Sequence, residues 1–534
     1  MLASLASATL LGLHGRVIRV EVDVAPGLPG LTIVGLADAA LQEARERVRG
    51  AIRNAGFVFP PRRITVNLAP ADLRKAGASL DLAIAIGILL GSEQIRAGRA
   101  RPALIGELSL GGELRAVPGT LPMVAALAAG GVGGVVLAAA AADEARLVPG
   151  IAVIAAETLA DAAAIVAAGR RARPLPIARD RIDIGADPGA PARSGHGSVS
   201  ANEKPEGADA VSSVAPDLAD VRGQAEARRA LEIALAGGHG LLLMGPPGSG
   251  KTLLARTIQG LLPELGDAEA LAATIVRSVA GQGPLHGLVR AAPVRSPHHT
   301  ASYAAMIGGG PRLSPGEVTL ADHGVLFLDE LPEFSRDVLE ALRQPLEDGW
   351  VSVSRVGRTA AFPARFQLVA AMNPCPCGWS GALDRSCRCR PGVADRYLGR
   401  ISGPLRDRID LWVEMPRVAP AALLANTAPE ASAAVRARIA KARSRQAARA
   451  PGRPNARVGG SALRRVTRLS PTARDRLVEL SERERFSGRG TERVLRVART
   501  IADLAERDPV EIADLEEAAR FRSPADRVVE RLAG

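Results

Sequence analysis

The sequence predicts an α/β protein of several units that ends in a wholly helical one. Three observations carry that prediction. At 534 residues the chain exceeds what one ordinary core organises. The apolar run Leu241-Leu242-Leu243 leads into a glycine-rich segment and then a helical pattern, the strand–loop–helix order of an α/β unit. The texture also changes twice. Residues 171–215 are rich in Pro, Gly, Ser and Asp without sustained periodicity, which predicts a linker, and from about residue 420 the pattern is helical with Arg-rich faces.

The first unit is expected over residues 1–170. Residues 16–35 read as strands around a Gly/Pro turn, and the segment up to Gly56 as an amphipathic helix. Residues 116–142 carry no charge, long enough to raise the question of a membrane span. They are mostly Ala and Gly, which gain little from lipid. The better expectation is a buried helix, a glycine turn and a buried strand. No basic stretch precedes the apolar residues at the N-terminus, and four cysteines are too few for a disulfide framework, so a cytoplasmic protein is expected.

Formal charge is +12 with a pI near 10.6, a balance that ordinarily points to nucleic acid or an anionic surface. Only four of the 68 basic residues are lysine, however, and alanine is abundant. That composition fits a coding bias, so position must argue where global charge does not.

The core is expected over residues 216–419, the helical unit over 420–534. Gly245-Pro246-Pro247-Gly248-Ser249-Gly250-Lys251-Thr252 satisfies the phosphate-loop pattern in full. Its glycines let backbone N–H groups turn inward around phosphates, Lys251 neutralises the β and γ oxygens, and the Thr252 hydroxyl ligates Mg²⁺. ATP and Mg²⁺ are therefore expected. A metal-side carboxylate is needed at the end of a neighbouring strand. The run Val325-Leu326-Phe327-Leu328 supplies Asp329 for the Mg²⁺ shell and Glu330 as general base for the attacking water. A third apolar run, residues 366–372, ends in Asn373. Its amide could sense the γ-phosphate, or simply begin a turn before Pro374.

All four cysteines lie within fifteen residues: Cys375, Cys377, Cys387 and Cys389. Two pairs separated by a loop suit a closed, tetrahedral, structural Zn²⁺. The C-x-C spacing is tighter than the usual C-x₂-C, so buried reduced thiols or a redox pair stay open as alternatives.

Taken together, the stretches DVRGQAEARRALEIALAGGHGLLLMGPPGSGKT, SPHHTASYAAMIGGG, PGEVTLADHGVLFLDELPEF, LRQPLEDG, LVAAMNPCPCG, SGPLRDRIDL and VLRVARTIADL resemble the ComM/YifB family of magnesium-chelatase-like AAA+ ATPases. So do LTIVGLADAALQEARERVRGAI and RRITVNLAPADLRKAG nearer the N-terminus. The resemblance implies an AAA+ P-loop core with a C-terminal helical lid, behind a Lon-protease-like domain of ribosomal S5 domain 2-like fold. It also implies that Arg408 is the arginine finger offered to a neighbouring subunit in a hexamer. Arg489, with Arg493 as substitute, would be the sensor-2 cation, and Arg355 and Arg358 would lie in a pore-facing insertion. Arginine suits both phosphate roles because its rigid fork fits phosphate oxygens. By sequence alone each is more often a surface residue.

Lys75-Ala76-Gly77-Ala78-Ser79 resembles the nucleophile segment of Lon proteases, but Leu121 stands where their dyad lysine falls. Without a base, Ser79 is a poor nucleophile, so proteolysis is not expected. DNA binding or ring assembly is.

Family resemblance implies a DNA motor, a helicase or branch-migration factor of recombination or natural transformation. The alternative is a chelatase-type motor that remodels a protein partner. Residues 431–470 carry eleven basic and no acidic side chains, either a phosphate-tracking surface or a solvated helical face. Aromatic residues are only 2%, so any DNA grip must be backbone electrostatics with little sequence preference. His298 and His299 are expected at the pore or a subunit interface.

Overall fold

The computed structural model describes all residues except 36–38, 72–74, 76–77, 170–214, 311–312, 356–357, 383–384, 424–428 and 523–534. Nearly all of the expected linker lies outside the described residues.

The N-terminal unit starts as a four-stranded sheet: β1 (Leu2–Leu11), β2 (His14–Ala25), β3 (Gly30–Val34) and, after helix α1 (Ala39–Asn54), β4 (Arg63–Ala69). The order is β1-β2-β4-β3, with only β3 and β4 parallel. Strict alternation in β2 puts Ile18, Val20, Val22 and Val24 inward, against the wholly buried helix α2 (Asp81–Gly91). Gly87 and Gly91 let that helix lie close: a Cβ on Gly87 would sit 2.5 Å from Val22 Cγ2. A second, parallel sheet runs β5 (Ala103–Leu104), β6 (Gly134–Ala138) and β7 (Ala152–Ala156) in that order, with helix α3 (Thr120–Ala129) before β6 and α4 (Leu159–Ala168) after β7.

The charge-free stretch is thus α3, a turn and β6, as its glycine pairs predicted. No helix among the described residues is long and apolar enough to cross a membrane.

The core is one five-stranded, all-parallel sheet. Helix α5 (Ala225–Gly237) precedes its first strand, β8 (Leu241–Met244), and helix α6 (Lys251–Arg256) follows it; α7 is Asp267–Val279. The other strands are β9 (Val294–Arg295), β10 (Val325–Leu328), β13 (Gln367–Met372) and β14 (Leu411–Glu414), with the hairpin β11 (Trp350–Arg355) and β12 (Arg358–Pro363) inserted before β13. Sheet order is β9-β10-β13-β8-β14. The six residues of β13 and four of β10 are all buried, as expected of a parallel sheet covered on both faces. Ligands of such sheets bind at the carboxyl ends of the strands, and this is where the predicted phosphate loop sits.

Among its described residues the C-terminal unit is built of helices: α8 (Ser432–Arg449), α9 (Gly460–Thr467), α10 (Pro471–Arg483), α11 (Gly488–Leu504) and α12 (Ile512–Arg520). Apolar faces of α8 and α11 join α5 and strands β8 and β14 in one hydrophobic core. The N-terminal unit also touches the core. Glu144 accepts bonds from Leu121 N (2.8 Å) and Ser278 Oγ (2.5 Å), and Gly119 N donates to the Ser278 carbonyl at 2.8 Å.

Candidate nucleotide-hydrolysis site

The phosphate loop, Asp329, Glu330 and Asn373 meet at the carboxyl ends of the strands. Register pairs Met244 with Met372 and Leu328 with Ala370, so the phosphate loop, Asn373 and Asp329 emerge side by side with the Asn373 strand between the other two. Gly248 and Gly250 hold positive φ, 78° and 93°, the backbone geometry that turns N–H groups inward.

Lys251 is nearly buried and donates to the carbonyls of Gly245 (2.7 Å) and Pro246 (3.0 Å) and to Asn373 Oδ1 (3.2 Å). Burial pulls its ammonium below the ordinary lysine range, while Asp329 and Glu330 oppose that pull. Thr252 Oγ1 donates to Asp329 Oδ2 at 2.7 Å, so the two oxygens expected to ligate Mg²⁺ already converge.

Glu330 sits at φ 52°, a left-handed backbone uncommon for a residue with a side chain. The turn is fixed by a bond from Glu330 N to Asp329 Oδ1 (2.9 Å), which separates the two carboxylates by function. Strain of this kind persists only where surrounding structure over-determines it. Sequence reasoning missed the partner of this carboxylate. His299 Nδ1 lies 3.3 Å from Glu330 Oε2, whereas the neighbouring His298 turns to Thr300 Oγ1 at 2.8 Å.

A pocket of about 1200 Å³ opens beside the loop, lined by Asp220–Arg222, Gln224, Gly245, Pro246, Gly248–Gly250, Ser380–Ala382 and residues 414–420. Gln224, at φ 52°, was not singled out in the sequence. Its Nε2 donates to Ser249 O (3.0 Å) and Pro416 O (2.6 Å), tying the strap before α5 to the phosphate loop and to the chain after β14.

Arg408 does not join this constellation. It precedes β14, and its carbonyl faces Gly240 at the amino end of β8, where a Cβ would lie 2.5 Å from that oxygen. A four-residue strand at about 3.3 Å per residue puts roughly 13 Å between that end and the phosphate loop. The exposed guanidinium of Arg408 instead pairs with Glu347.

Arg489 is likewise exposed, in the first turn of α11. One turn on, Arg493 is buried and donates to Asp407 Oδ1 at 3.1 Å, beside Arg408. Arg408 and Arg493 therefore lie at the sheet end opposite the chain's own P-loop.

The four cysteines converge, with all Sγ atoms within 4.8 Å of one another, a set that could hold a metal ion. Cys375 to Cys377, Cys375 to Cys387 and Cys377 to Cys387 are 3.4, 3.7 and 3.5 Å apart. Backbone N–H groups of Arg388 and Trp379 pull the Cys377 thiol down to about 6, whereas Cys387 and Cys389 stand above the ordinary thiol value despite their backbone bonds, pushed up by burial and by the neighbouring sulfurs.

Comparison with known proteins agrees with this geometry. The model for magnesium chelatase subunit ChlI matches residues 217–423, that for subunit ChlI of Mg-chelatase matches 20–141, and that for the ChlI C-terminal region matches 429–522. YifB of Escherichia coli K12 is 42% identical over 521 residues, covering 96% of this chain and 95% of YifB. Competence protein ComM of Haemophilus influenzae is 41% identical over 527 residues, 98% of this chain and 97% of ComM. The chain belongs to the ComM/YifB family of magnesium-chelatase-like AAA+ ATPases.

Ser79 is buried and donates its hydroxyl to the Ala8 carbonyl at 3.0 Å, while Lys75, also buried, donates to the Pro70 carbonyl. Leu121 is buried in α3. The hairpin brings Arg355 and Arg358 into register at its tip. Part of the basic block of residues 431–470 is engaged within the chain. Arg438 pairs with Glu232 (2.6 Å) and Glu430, Lys441 with Glu506 (3.1 Å), Arg449 with Asp503 (2.5 Å) and Arg468 with Asp508. Arg443 donates to the Leu235 carbonyl at 2.7 Å. Arg436, Arg453, Arg464 and Arg465 are exposed.

Proposed function

We propose that this protein is an ATP-driven DNA motor that works as a homo-hexameric ring, a helicase or branch-migration factor of recombination or natural transformation. The observation that carries the ring is the split of the machinery: Lys251 and Glu330 lie at one end of the sheet, Arg408 at the other. A guanidinium needed on the γ-phosphate must then come from a neighbour. Likeness to a competence protein over nearly both full lengths supports DNA as what the ring moves.

In this reading Gly245–Thr252 wraps the phosphates, and Lys251 leaves its carbonyl partners for the β and γ oxygens. Thr252 and Asp329 would hold Mg²⁺, which supplies charge neutralisation at the bridging oxygens. Glu330 takes the proton of the attacking water, held by His299. Asn373, already beside Lys251, orients the γ-phosphate, and the neighbour's Arg408 and Arg489 bind the charge that develops. Cys375, Cys377, Cys387 and Cys389 would hold a structural Zn²⁺, a metal suited to four thiolates.

The test is ATP hydrolysis by the purified chain with and without single-stranded or four-way-branched DNA, with Lys251→Ala as the blank. Stimulation by DNA is expected. The family models named for a chelatase subunit favour a second reading, a remodeller of a protein partner. A rate indifferent to DNA and raised by a protein partner would favour it.

A further inference from the structure

The cysteine loop does more than hang from the sheet. It leaves β13 at Asn373, whose amide oxygen already bonds Lys251, and Cys375 follows two residues later in a fully buried position. Three residues on, Gly378 takes φ 81° and packs on the phosphate loop itself: a Cβ there would lie 2.5 Å from Pro247 Cδ and 2.8 Å from Cγ. No side chain fits, and the residue opposite is a rigid proline ring that cannot yield.

Beyond that contact the same loop contributes Ser380, Gly381 and Ala382 to the wall of the 1200 Å³ pocket. Ser380 N is fixed from behind, donating to Cys375 Sγ at 3.3 Å. Trp379 lies between two guanidinium groups, Arg385 at 4.6 Å and Arg417 at 5.2 Å from its ring centroid. Arg417 belongs to the segment after β14, which lines the same pocket. The wall is therefore held at Pro247, at Cys375 and at Arg417, and one of these partners is itself a sulfur.

We propose that the four-thiolate loop is a working part of the nucleotide site: a zinc ion on Cys375, Cys377, Cys387 and Cys389 seats Gly378 on Pro247 and sets Ser380–Ala382 against the nucleotide. Loss of the ion frees the loop and weakens nucleotide binding. This rests on the P-loop reading of the pocket and on the metal reading of the cysteines. Its physical basis is preorganisation, because a wall that must be ordered at binding subtracts that ordering from affinity.

The test uses the full chain and a fluorescent ADP analogue with Mg²⁺. Protein as purified should contain one equivalent of zinc. Removing the zinc with a thiol-competent chelator should weaken analogue binding roughly ten-fold, and stoichiometric zinc should restore it. Cys387→Ser with Cys389→Ser, at the outer end of the loop, should lose both the metal and the affinity. Should that pair disturb folding, Gly378→Ala decides: it should keep its zinc and still bind the analogue several-fold more weakly. Equal affinity with and without zinc, or an unaffected Gly378→Ala, overturns the coupling alone. Protein that carries no zinc and takes up none overturns the metal reading and the coupling with it. Zinc-loaded wild type that binds no analogue overturns the nucleotide site instead.

Discussion

His299 reaches Glu330: the imidazole Nδ1 stands 3.3 Å from carboxylate Oε2, on a residue whose backbone is held at φ 52°. A general base is effective only when aimed, and a side chain on an exposed turn has freedom to lose. His299→Ala should therefore lower kcat roughly ten-fold with nucleotide affinity unchanged, and Glu330→Gln should lower it about 100-fold or more. His298→Ala, whose ring faces Thr300, should be close to wild type. Steady-state ATPase rates beside equilibrium binding of a fluorescent ADP analogue separate these outcomes; a His299→Ala enzyme with full kcat removes the role.

Lys251 and Asn373 should fail differently. Lys251→Ala removes the cation proposed to cradle the phosphates and should abolish nucleotide binding. Asn373→Ala should still bind, and hydrolyse roughly ten-fold more slowly, the scale of one charge-assisted hydrogen bond. Equal loss of binding in both variants would show that Asn373 is part of the ground-state cradle.

If Arg408 serves a neighbour, two dead subunits can complement each other. Arg408→Ala alone should lose about 10³-fold in rate, the usual worth of an arginine finger. Mixed with Lys251→Ala it should regain activity, because one of the interfaces formed then joins an intact Lys251 to an intact Arg408. Mixtures no faster than either variant would place Arg408 outside the reaction.

A buried polar network joins the C-terminal helices to the sheet and should be costly to break. Arg499 and Asp503 are both fully buried and 3.0 Å apart, Arg449 and Asn455 also bond Asp503, and Thr500 bonds the buried His239, which meets Asp410 at 3.1 Å. Asp503→Ala leaves Arg499 uncompensated and should destabilise by about 3–5 kcal/mol, read from denaturant midpoints. Because Asp410 is two residues from Arg408, the ATPase rate of assembled protein should fall too.

In the N-terminal unit, burial pushes the Asp81 carboxyl up to about 6, although Arg47 bonds it at 2.7 Å. The folded state therefore holds a proton that the unfolded chain releases near pH 4. Its stabilising contribution is complete below that pH and is lost as pH rises through 6. Asp81→Asn should flatten that fall. Unfolding midpoints of both proteins between pH 4.5 and about 7 check it; parallel curves would mean Asp81 does not titrate there.

Local chemistry made much of this protein legible from its residues. The phosphate loop needs glycines, lysine and threonine at fixed spacing, so Gly245–Thr252 announced itself, as did Asp329 after a buried apolar run. The four cysteines betrayed themselves by crowding, and the charge-free stretch by its glycine pairs. Tertiary structure alone decided which charges are spent and which are aimed. Eleven basic residues in 431–470 look like one surface on paper, yet Arg438, Lys441, Arg449 and Arg468 pair with Glu232, Glu506, Asp503 and Asp508, which stand outside that block. His299 and Glu330, 31 positions apart, meet only because two loops close on the same sheet end. Spacing along a chain fixes what a segment can bind by itself; pairing across the sheet depends on strand order and register, which no local pattern encodes.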